Sequence, residues 1–522
     1  MKKMKKIGAA ILAACMVVSM AACGNSATTG DNGSQSESSS NSGKTDIVIA
    51  VDADIDTLHP ANFSTTVELN ILNQIYDTLM YMNPDETHDP EPRIAESYEI
   101  SDDGLDYTFH LRDDVAFHDG SKLTSEDVKF SLEMYQQSEY QGYEVDGLAS
   151  VDTPDDTTVV CHLEYPYSPF LLGVCNVHIA SKSYYEASAD NFVSSPVGTG
   201  PYKYVGRNKG SDITLEAYDG YYRGVAAIKN VKFEVIPDEA TMAVALQTGE
   251  INFADIEPAS ISQLQASKNI TIARVDTSAF SYVCMNLEKE PFNDVRVRQA
   301  INYALNRENI IAVCYDGEAE VNSNICAKTR MGYQDSQLQY TYDVEKAKAL
   351  LAEAGIETPY NLGEMLVAEK YSNLAAVIQN DLKAIGLDVT IKVAEFNSFI
   401  GDLTSGNYTI TALNMTLDGD TQSLEMAFTT DYIGMANNAR YSDPEMDELF
   451  AQAQKEADTE KRTELFNQAF SKAQDEAIYA VIGNPLELFA YNNSLDVPEI
   501  AFEGAYFIYN FCLLYTSPSP RD

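Results

Sequence analysis

From Leu105 to Leu111 the chain alternates: Leu105, Tyr107, Phe109 and Leu111 are separated by Asp106, Thr108 and His110. A period of two puts the apolar side chains on one face and predicts a half-buried strand. Val231, Phe233 and Val235 alternate in the same way with Lys232 and Glu234, and Val389, Ile391 and Val393 with Thr390 and Lys392. Elsewhere the period is that of a helix. Val297, Ala300, Ile301, Ala304 and Leu305 share one face, and so do Ala347, Leu350, Leu351 and Ala354. Asp343 is the expected N-cap of the second of these helices and Gly355 its stop. Leu374, Val377, Ile378 and Leu382 predict a third helix, which runs through Gly386 into the strand at Asp388. Helix, glycine, strand is the unit of an α/β body. There is no tandem repeat.

The N-terminus follows neither pattern. Met1 to Lys6 carries four Lys, and Ile7 to Ala22 is almost wholly apolar. This is the layout of an export signal over residues 1–22. The run is short for a membrane span, which takes ~20 apolar residues. Met20-Ala21-Ala22-Cys23 resembles a bacterial lipobox, in which the Cys is lipidated and becomes the new N-terminus. Leu12-Ala13-Ala14-Cys15 has the better box, but an apolar run follows it where a linker should be. Residues 23–45 are rich in Ser, Gly and Asn and carry no large apolar side chain after Cys23. Such a segment buries nothing and is expected to be a flexible tether. The expected product is extracytoplasmic and held to the cell membrane by its lipid alone, with lipidation at Cys23.

A chain of 522 residues is too long for one core, so two or three domains are expected. Lys+Arg is 35 against Asp+Glu 79, a net charge of −44, and four of the cations lie in the export signal. A polyanion of this kind is not expected to grip nucleic acid or an anionic lipid surface. Of the eight Cys, Cys161, Cys175, Cys284, Cys314 and Cys326 lie in the body, too widely spaced for a disulfide framework. Cys314 and Cys326 either pair or stay buried thiols. Residues 512–522 read CLLYTSPSPRD, which matches one frame of a transposon-type sequencing adapter. They are expected to be an artefact and are assigned no function.

Catalysis needs a constellation, and none is present. There is no G-x-S-x-G elbow and no H-E-x-x-H pair. Gly43-Lys44-Thr45 resembles the end of a phosphate loop, but it lies in the tether with no strand before it. Asp52, Asp54 and Asp56 resemble the start of a calcium loop, yet Thr57 stands where the turn Gly belongs and Phe63 where the closing Glu belongs. The six His show no ligand spacing, and His110 and His118 are expected to serve strand edges or turns. No metal, no cofactor and no enzymatic activity are expected.

Several stretches together resemble the family 5 extracytoplasmic solute-binding proteins of peptide and nickel ABC importers. They are Asp56-Thr57-Leu58-His59-Pro60, Gln74-Ile75-Tyr76-Asp77-Thr78-Leu79, Pro92-Arg93-Ile94-Ala95-Glu96-Ser97-Tyr98, Thr108-Phe109-His110-Leu111-Arg112 and Phe117-His118-Asp119-Gly120. Further on come Leu123-Thr124-Ser125-Glu126-Asp127-Val128, Pro196-Val197-Gly198-Thr199-Gly200-Pro201-Tyr202, Gly249-Glu250-Ile251-Asn252 and the run from Pro291 to Ala300. They keep the family order across about residues 46–511.

The resemblance implies an α/β, bilobed, periplasmic-binding-protein-like clamp of type II with an extra inserted subdomain. Lobe I would comprise about 46–75, 196–280 and 486–511, the inserted subdomain about 76–195, and lobe II about 281–485. Ligand binds between the lobes, and hinge motion closes them around it. The expected partners are a peptide ligand and the permease and ATPase subunits of an ABC importer, and the protein is expected to be a monomer. Peptide binders of the family follow a strand with Gly-Trp, two residues and an Asp that pairs with the peptide ammonium. Here the strand is Tyr408 to Leu413, and Asn414 and Met415 replace the Gly and Trp before Asp418. Asp418 takes the amine-binding place, with Asp420 beside it, unless the two are turn residues. Tyr282 and Asn286, at the entry to lobe II, are candidates to line the cleft. Thr65 and Thr66 are candidates to offer hydroxyls to a ligand carboxylate. Arg296 and Arg298 are expected on the exposed side of their helix. The alternatives are a receptor for a nickel chelate or oligosaccharide, a peptide sensor that signals without transport, and a secreted hydrolase.

Overall fold

The computed structural model describes residues 45–82, 90–187, 194–328, 330–417, 420–498, 500 and 505–514. The export signal, Cys23, the tether up to residue 44, and Asp418 lie outside the described residues.

The strand Asp46–Val51 is apolar at nearly every position, which suits a strand buried on both faces. It is the centre of a seven-stranded sheet, pairing in parallel with Asn230–Val235 on one side and Phe253–Asp255 on the other. Ile270–Val275 and Glu487–Asn492 complete one edge, and Asp212–Ala217 and Tyr202–Asn208 the other. A six-stranded sheet follows the order Ala319–Val321, Tyr479–Pro485, Phe280–Met285, Ile410–Met415, Tyr360–Ala368, Leu387–Ala394. Its Phe280–Met285 strand is buried throughout, sending Val283 and Met285 into one core and Tyr282 and Cys284 into another on the opposite face. A third sheet is antiparallel and four-stranded, built from Ala95–Ile100, Asp106–Leu111, Thr158–Leu163 and Leu148–Asp155, with its own core. The result is a bilobed α/β clamp carrying an added sheet.

Two short segments connect the two large sheets. Residues 276–279 lead from Ile270–Val275 to Phe280–Met285, and Leu486 leads from Tyr479–Pro485 to Glu487–Asn492. They run side by side: Thr277 Oγ1 donates to the Pro485 carbonyl at 2.7 Å, and Asn484 Nδ2 donates to the Ala279 carbonyl at 2.9 Å.

The alternating stretches form the expected strands. In Asp106–Leu111, Tyr107, Phe109 and Leu111 are buried. In Leu387–Ala394 only the first part is, and Val393 is 51% exposed, because this strand is the edge of its sheet. The helix Val344–Glu353 starts where Asp343 accepts from the Lys346 N–H at 2.9 Å. Gly386, at the helix–strand junction, has φ +84°, and a Cβ there would stand 2.6 Å from Thr358 Cβ. Helix Val295–Ala304 departs from expectation at Arg298, which is buried. Its Nε and Nη2 donate to the Glu476 carbonyl at 3.0 and 2.6 Å, and Nη1 donates to the Phe292 carbonyl at 2.9 Å. The guanidinium satisfies the carbonyl end of the neighbouring helix Thr459–Asp475, where a cation is favoured. Arg296 remains partly exposed and pairs with Asp294. All the Cys of the described body, Cys314 and Cys326 included, are free thiols.

His118 serves a turn. Its Nε2 contacts the Gly200 carbonyl at 2.9 Å, and its Nδ1 accepts from the Gly198 N–H at 3.3 Å. Gly198 is required there, since a Cβ would lie 2.1 Å from the Ile75 carbonyl oxygen. His178 is equally enclosed, with Nδ1 3.2 Å from the Tyr135 hydroxyl and Nε2 3.0 Å from Asn73 Oδ1. Burial pushes both imidazoles down to about 4. The unfolded chain takes up protons near pH 6.5 while the folded chain does not, so the stability these rings contribute falls as pH drops from about 6.5 towards 4. The expected loss is roughly 3 kcal/mol for each ring by pH 4. In an NMR titration of the imidazoles neither ring should take up a proton above pH 5; a midpoint near 6.5 for either would contradict this packing.

Candidate functional site

A cleft of about 920 Å³ runs between the two lobes and under the added sheet. Thr277, Ala279, Pro485 and Leu486 of the two connecting segments form part of its lining.

On the lobe I side the cleft meets the start of helix Thr66–Ile75. Ser64, Thr65 and Thr66 line it, and the first two are held by one buried carboxylate. Glu68 Oε1 accepts from the Asp56 and Thr57 N–H groups at 2.9 and 3.0 Å, and Oε2 from those of Ser64 and Thr65 at 2.9 and 3.2 Å. Burial pushes the Glu68 carboxyl up, and these backbone donors outweigh it and hold the group below its ordinary range. Thr65 Oγ1 accepts from the Glu68 N–H, completing a capping box. The Thr65 hydroxyl therefore has a structural task at the cleft wall.

The lobe II wall carries Thr416, Asp420 and Thr421, after the strand Ile410–Met415, together with Arg330 and Arg462. Asp420 Oδ2 accepts from Arg462 Nη1 at 2.9 Å and Oδ1 from Arg462 Nη2, while Oδ1 also accepts from the Gln422 N–H at 2.8 Å. Burial pushes the Asp420 carboxyl up, but Arg462 and the amide hold it below the usual carboxylate range. Asp420 faces the cleft as half of an ion pair and a helix cap, so its carboxylate is already committed. Arg330 donates from Nη2 to the Leu417 carbonyl and from Nη1 to the Asp420 carbonyl at 3.3 Å, holding the backbone at those two residues.

The third wall belongs to the four-stranded sheet and its neighbours. Tyr98, Tyr107 and Tyr143 line it, and Arg93 stands at one end. It is tied directly to lobe II, where the Ser168 N–H donates to the Gln454 carbonyl at 2.9 Å and Ser168 Oγ donates to the Glu456 carbonyl at 2.5 Å.

Four of the candidate residues stand elsewhere. Tyr282 is fully buried in the central strand, with its hydroxyl accepting from Asn438 Nδ2 at 3.1 Å. Asn286 is also fully buried, and its Nδ2 donates to the Gly406 and Tyr408 carbonyls at 3.1 Å each. Tyr282 belongs to a strand enclosed on both faces and Asn286 is the residue after that strand; neither lines the cleft, which corrects the expectation for both. The strand expected from Tyr408 to Leu413 spans Ile410–Met415 and so takes in Asn414 and Met415. Asn414 Oδ1 accepts from the Tyr315 hydroxyl at 2.8 Å, and Met415 packs beside the lobe II core. Neither lines the cleft.

Bacterial extracellular solute-binding proteins, family 5, match the chain over residues 89–435. The chain belongs to this family. The family consists of solute-binding proteins of ABC transporters and not of enzymes, and its members are extracytoplasmic. The solute-binding protein described here is 30% identical to the dipeptide-binding protein of Escherichia coli K12 over 75% of its own length and 80% of that protein's. It is also 30% identical to heme-binding protein A of Haemophilus influenzae, over 89% and 91% of the two chains. Among solved structures, the Helicobacter pylori binding protein DppA in complex with the peptide STSA superposes with a TM-score of 0.71 at 27% identity, over 90% of this chain and 98% of that one. Among the described residues of this solute-binding protein, no three His, Cys, Asp or Glu side chains converge as a metal site, and no helix is long and apolar enough to cross a membrane.

Sequence reasoning missed Arg93, Arg330 and Arg462. A signal existed for Arg462: it shares a helical face with Phe466, Ala469, Phe470 and Ala473, all buried. A charge on an apolar stripe demands a partner.

Proposed function

We propose that this protein is a surface lipoprotein, anchored through Cys23, that captures short peptides outside the cell and delivers them to an ABC permease. The observation that carries the reading is the cleft itself. It is enclosed by both lobes, and Thr416 and Asp420, on either side of Asp418, line it. Because Asp420 is committed to Arg462, the amine of a peptide is assigned to Asp418. A carboxylate in a dewatered cleft favours an ammonium strongly. The dipeptide-binding relative and the DppA–peptide complex support the same ligand class.

The test is the melting temperature of the protein lacking its first 23 residues, with and without a mixed di- to hexapeptide pool. Binding to the native state alone stabilises by ~2.7 kcal/mol at a hundredfold excess over Kd. A clear rise, abolished by Asp418→Asn, is the expected result. A folded, ligand-free sample that does not respond would sink the peptide reading.

One observation favours a second reading. Tyr81, Tyr98 and Tyr143 line the cleft with part of their rings exposed, a surface that suits a flat aromatic ligand, and heme-binding protein A is a relative. Heme titrated into the protein would then show saturable changes in its absorption band, and the peptide pool would compete.

A further inference from the structure

Arg93 is the most enclosed cation at the end of the cleft formed by the added sheet and the C-terminal segment. Its side chain is 7% exposed and that of its partner Asp77 is 0% exposed. Asp77 Oδ1 accepts from Arg93 Nη1 at 2.6 Å, while Asp77 Oδ2 accepts from the Tyr221 and Tyr222 hydroxyls at 2.9 Å each. Asp77 is thus satisfied by three donors and uses only one nitrogen of the guanidinium. Arg93 Nε is buried and has no hydrogen-bond partner.

The guanidinium is also held in place. Its carbon lies 4.3 Å from the Tyr81 ring centroid and 4.8 Å from that of Phe507, and the two rings meet edge to face at 5.3 Å. Tyr81, Arg93 and Phe507 all line the cleft. A stacked, ion-paired arginine has little rotamer freedom left to lose when a ligand arrives. A buried N–H without an acceptor costs free energy until one is supplied. The pair with Asp77 is neutral overall, so this end offers directed hydrogen bonds more than net charge.

We infer that Arg93, packed against both Tyr81 and Phe507, is the carboxylate-recognising end of the cleft and receives the C-terminal carboxylate of a bound peptide through the guanidinium edge that Asp77 leaves open. The inference rests on the peptide reading and sets the direction of the ligand: amine towards the lobe II wall at Thr416 and Asp420, carboxylate towards the added sheet. A planar carboxylate matches the fork of an arginine and not the single point of a lysine.

The experiment uses a defined set of Ala/Phe tetrapeptides, each as the free acid and as the C-terminal amide, with Kd measured by calorimetry. The wild-type protein should bind the acid about tenfold more tightly than the amide. Arg93→Lys keeps a cation facing Asp77 but loses the fork, and should bind both forms with nearly equal, weakened affinity. If Arg93→Lys does not fold, Tyr81→Leu loosens the stack without touching the ion pair and should narrow the difference between acid and amide. Equal binding of acid and amide by the wild type, or an unchanged preference in the folded variant, overturns the inference and leaves the peptide reading standing. Binding of neither form overturns both.

Discussion

Replacing Asp77 by alanine should remove about 3–5 kcal/mol of stability, the usual effect of stranding one member of a buried ion pair. Asp77 is fully buried and accepts from Arg93, Tyr221 and Tyr222 together. Its backbone is tied in as well. Its N–H donates to Thr199 Oγ1 at 3.3 Å, and its carbonyl accepts from the Ile179 N–H at 2.9 Å. The residue therefore joins the end of helix Thr66–Ile75, the segment after the four-stranded sheet and the turn at Gly198. Alanine would leave a guanidinium and two hydroxyls in the interior with nothing to donate to. Urea unfolding measures the loss, and a change below about 1 kcal/mol would show that water or another acceptor replaces Asp77. The double variant Asp77→Ala/Arg93→Met should recover part of the loss, since it removes the stranded charge too.

The second large effect is expected at the lobe II wall. Arg462→Met should cost about 3–5 kcal/mol at neutral pH by leaving the Asp420 carboxylate buried without its cation. Its dependence on pH identifies the cause. In the wild type Asp420 has a depressed pKa, so its contribution is present above the unfolded carboxylate range and disappears as pH falls through the folded value. Without Arg462, burial dominates and the folded pKa rises above the unfolded one. The variant then loses stability as pH rises through that raised value, and regains it on acidification as Asp420 becomes neutral. The gap between wild type and variant should therefore narrow from pH 7 towards pH 4.5 in matched unfolding curves. A gap that stays constant would mean that Arg462 acts through packing on Phe466, over which its guanidinium lies at 5.1 Å, and not through charge.

The regular elements could be read from the sequence because local patterning coincides with burial. Tyr107, Phe109 and Leu111 alternate because one face of their sheet covers a core, and Asp343 and Gly355 bracket a helix because caps act locally. The pattern fails where burial depends on distant partners. The strand Phe280–Met285 is enclosed on both faces, so nothing in its own residues separates a cleft position from a core position, and Tyr282 and the following Asn286 are both fully buried. Arg298 sits in a helix whose polar positions look solvated, yet the carbonyl it caps belongs to a helix end at Glu476, 178 residues away. The same holds in the cleft. Thr65 and Thr66 could be picked out from their place after the first strand, and they do line it. The link between Asp420 and Arg462 spans 42 residues and leaves no local trace beyond a charge on an apolar stripe.

The lobes are joined twice, through residues 276–279 and through Leu486, with the two crossings pinned together by Thr277 and Asn484. A body held at one point can swivel in any direction; one held at two neighbouring points turns about a line, as a door does. The opening movement should then have essentially one degree of freedom, and every part of the cleft wall should sweep along an arc fixed by its distance from that line. Ser168 and its partners at Gln454 and Glu456 are the latch side of this door. A protease cut in either crossing should leave the halves attached through the other while releasing the constraint, turning a door into a loose flap.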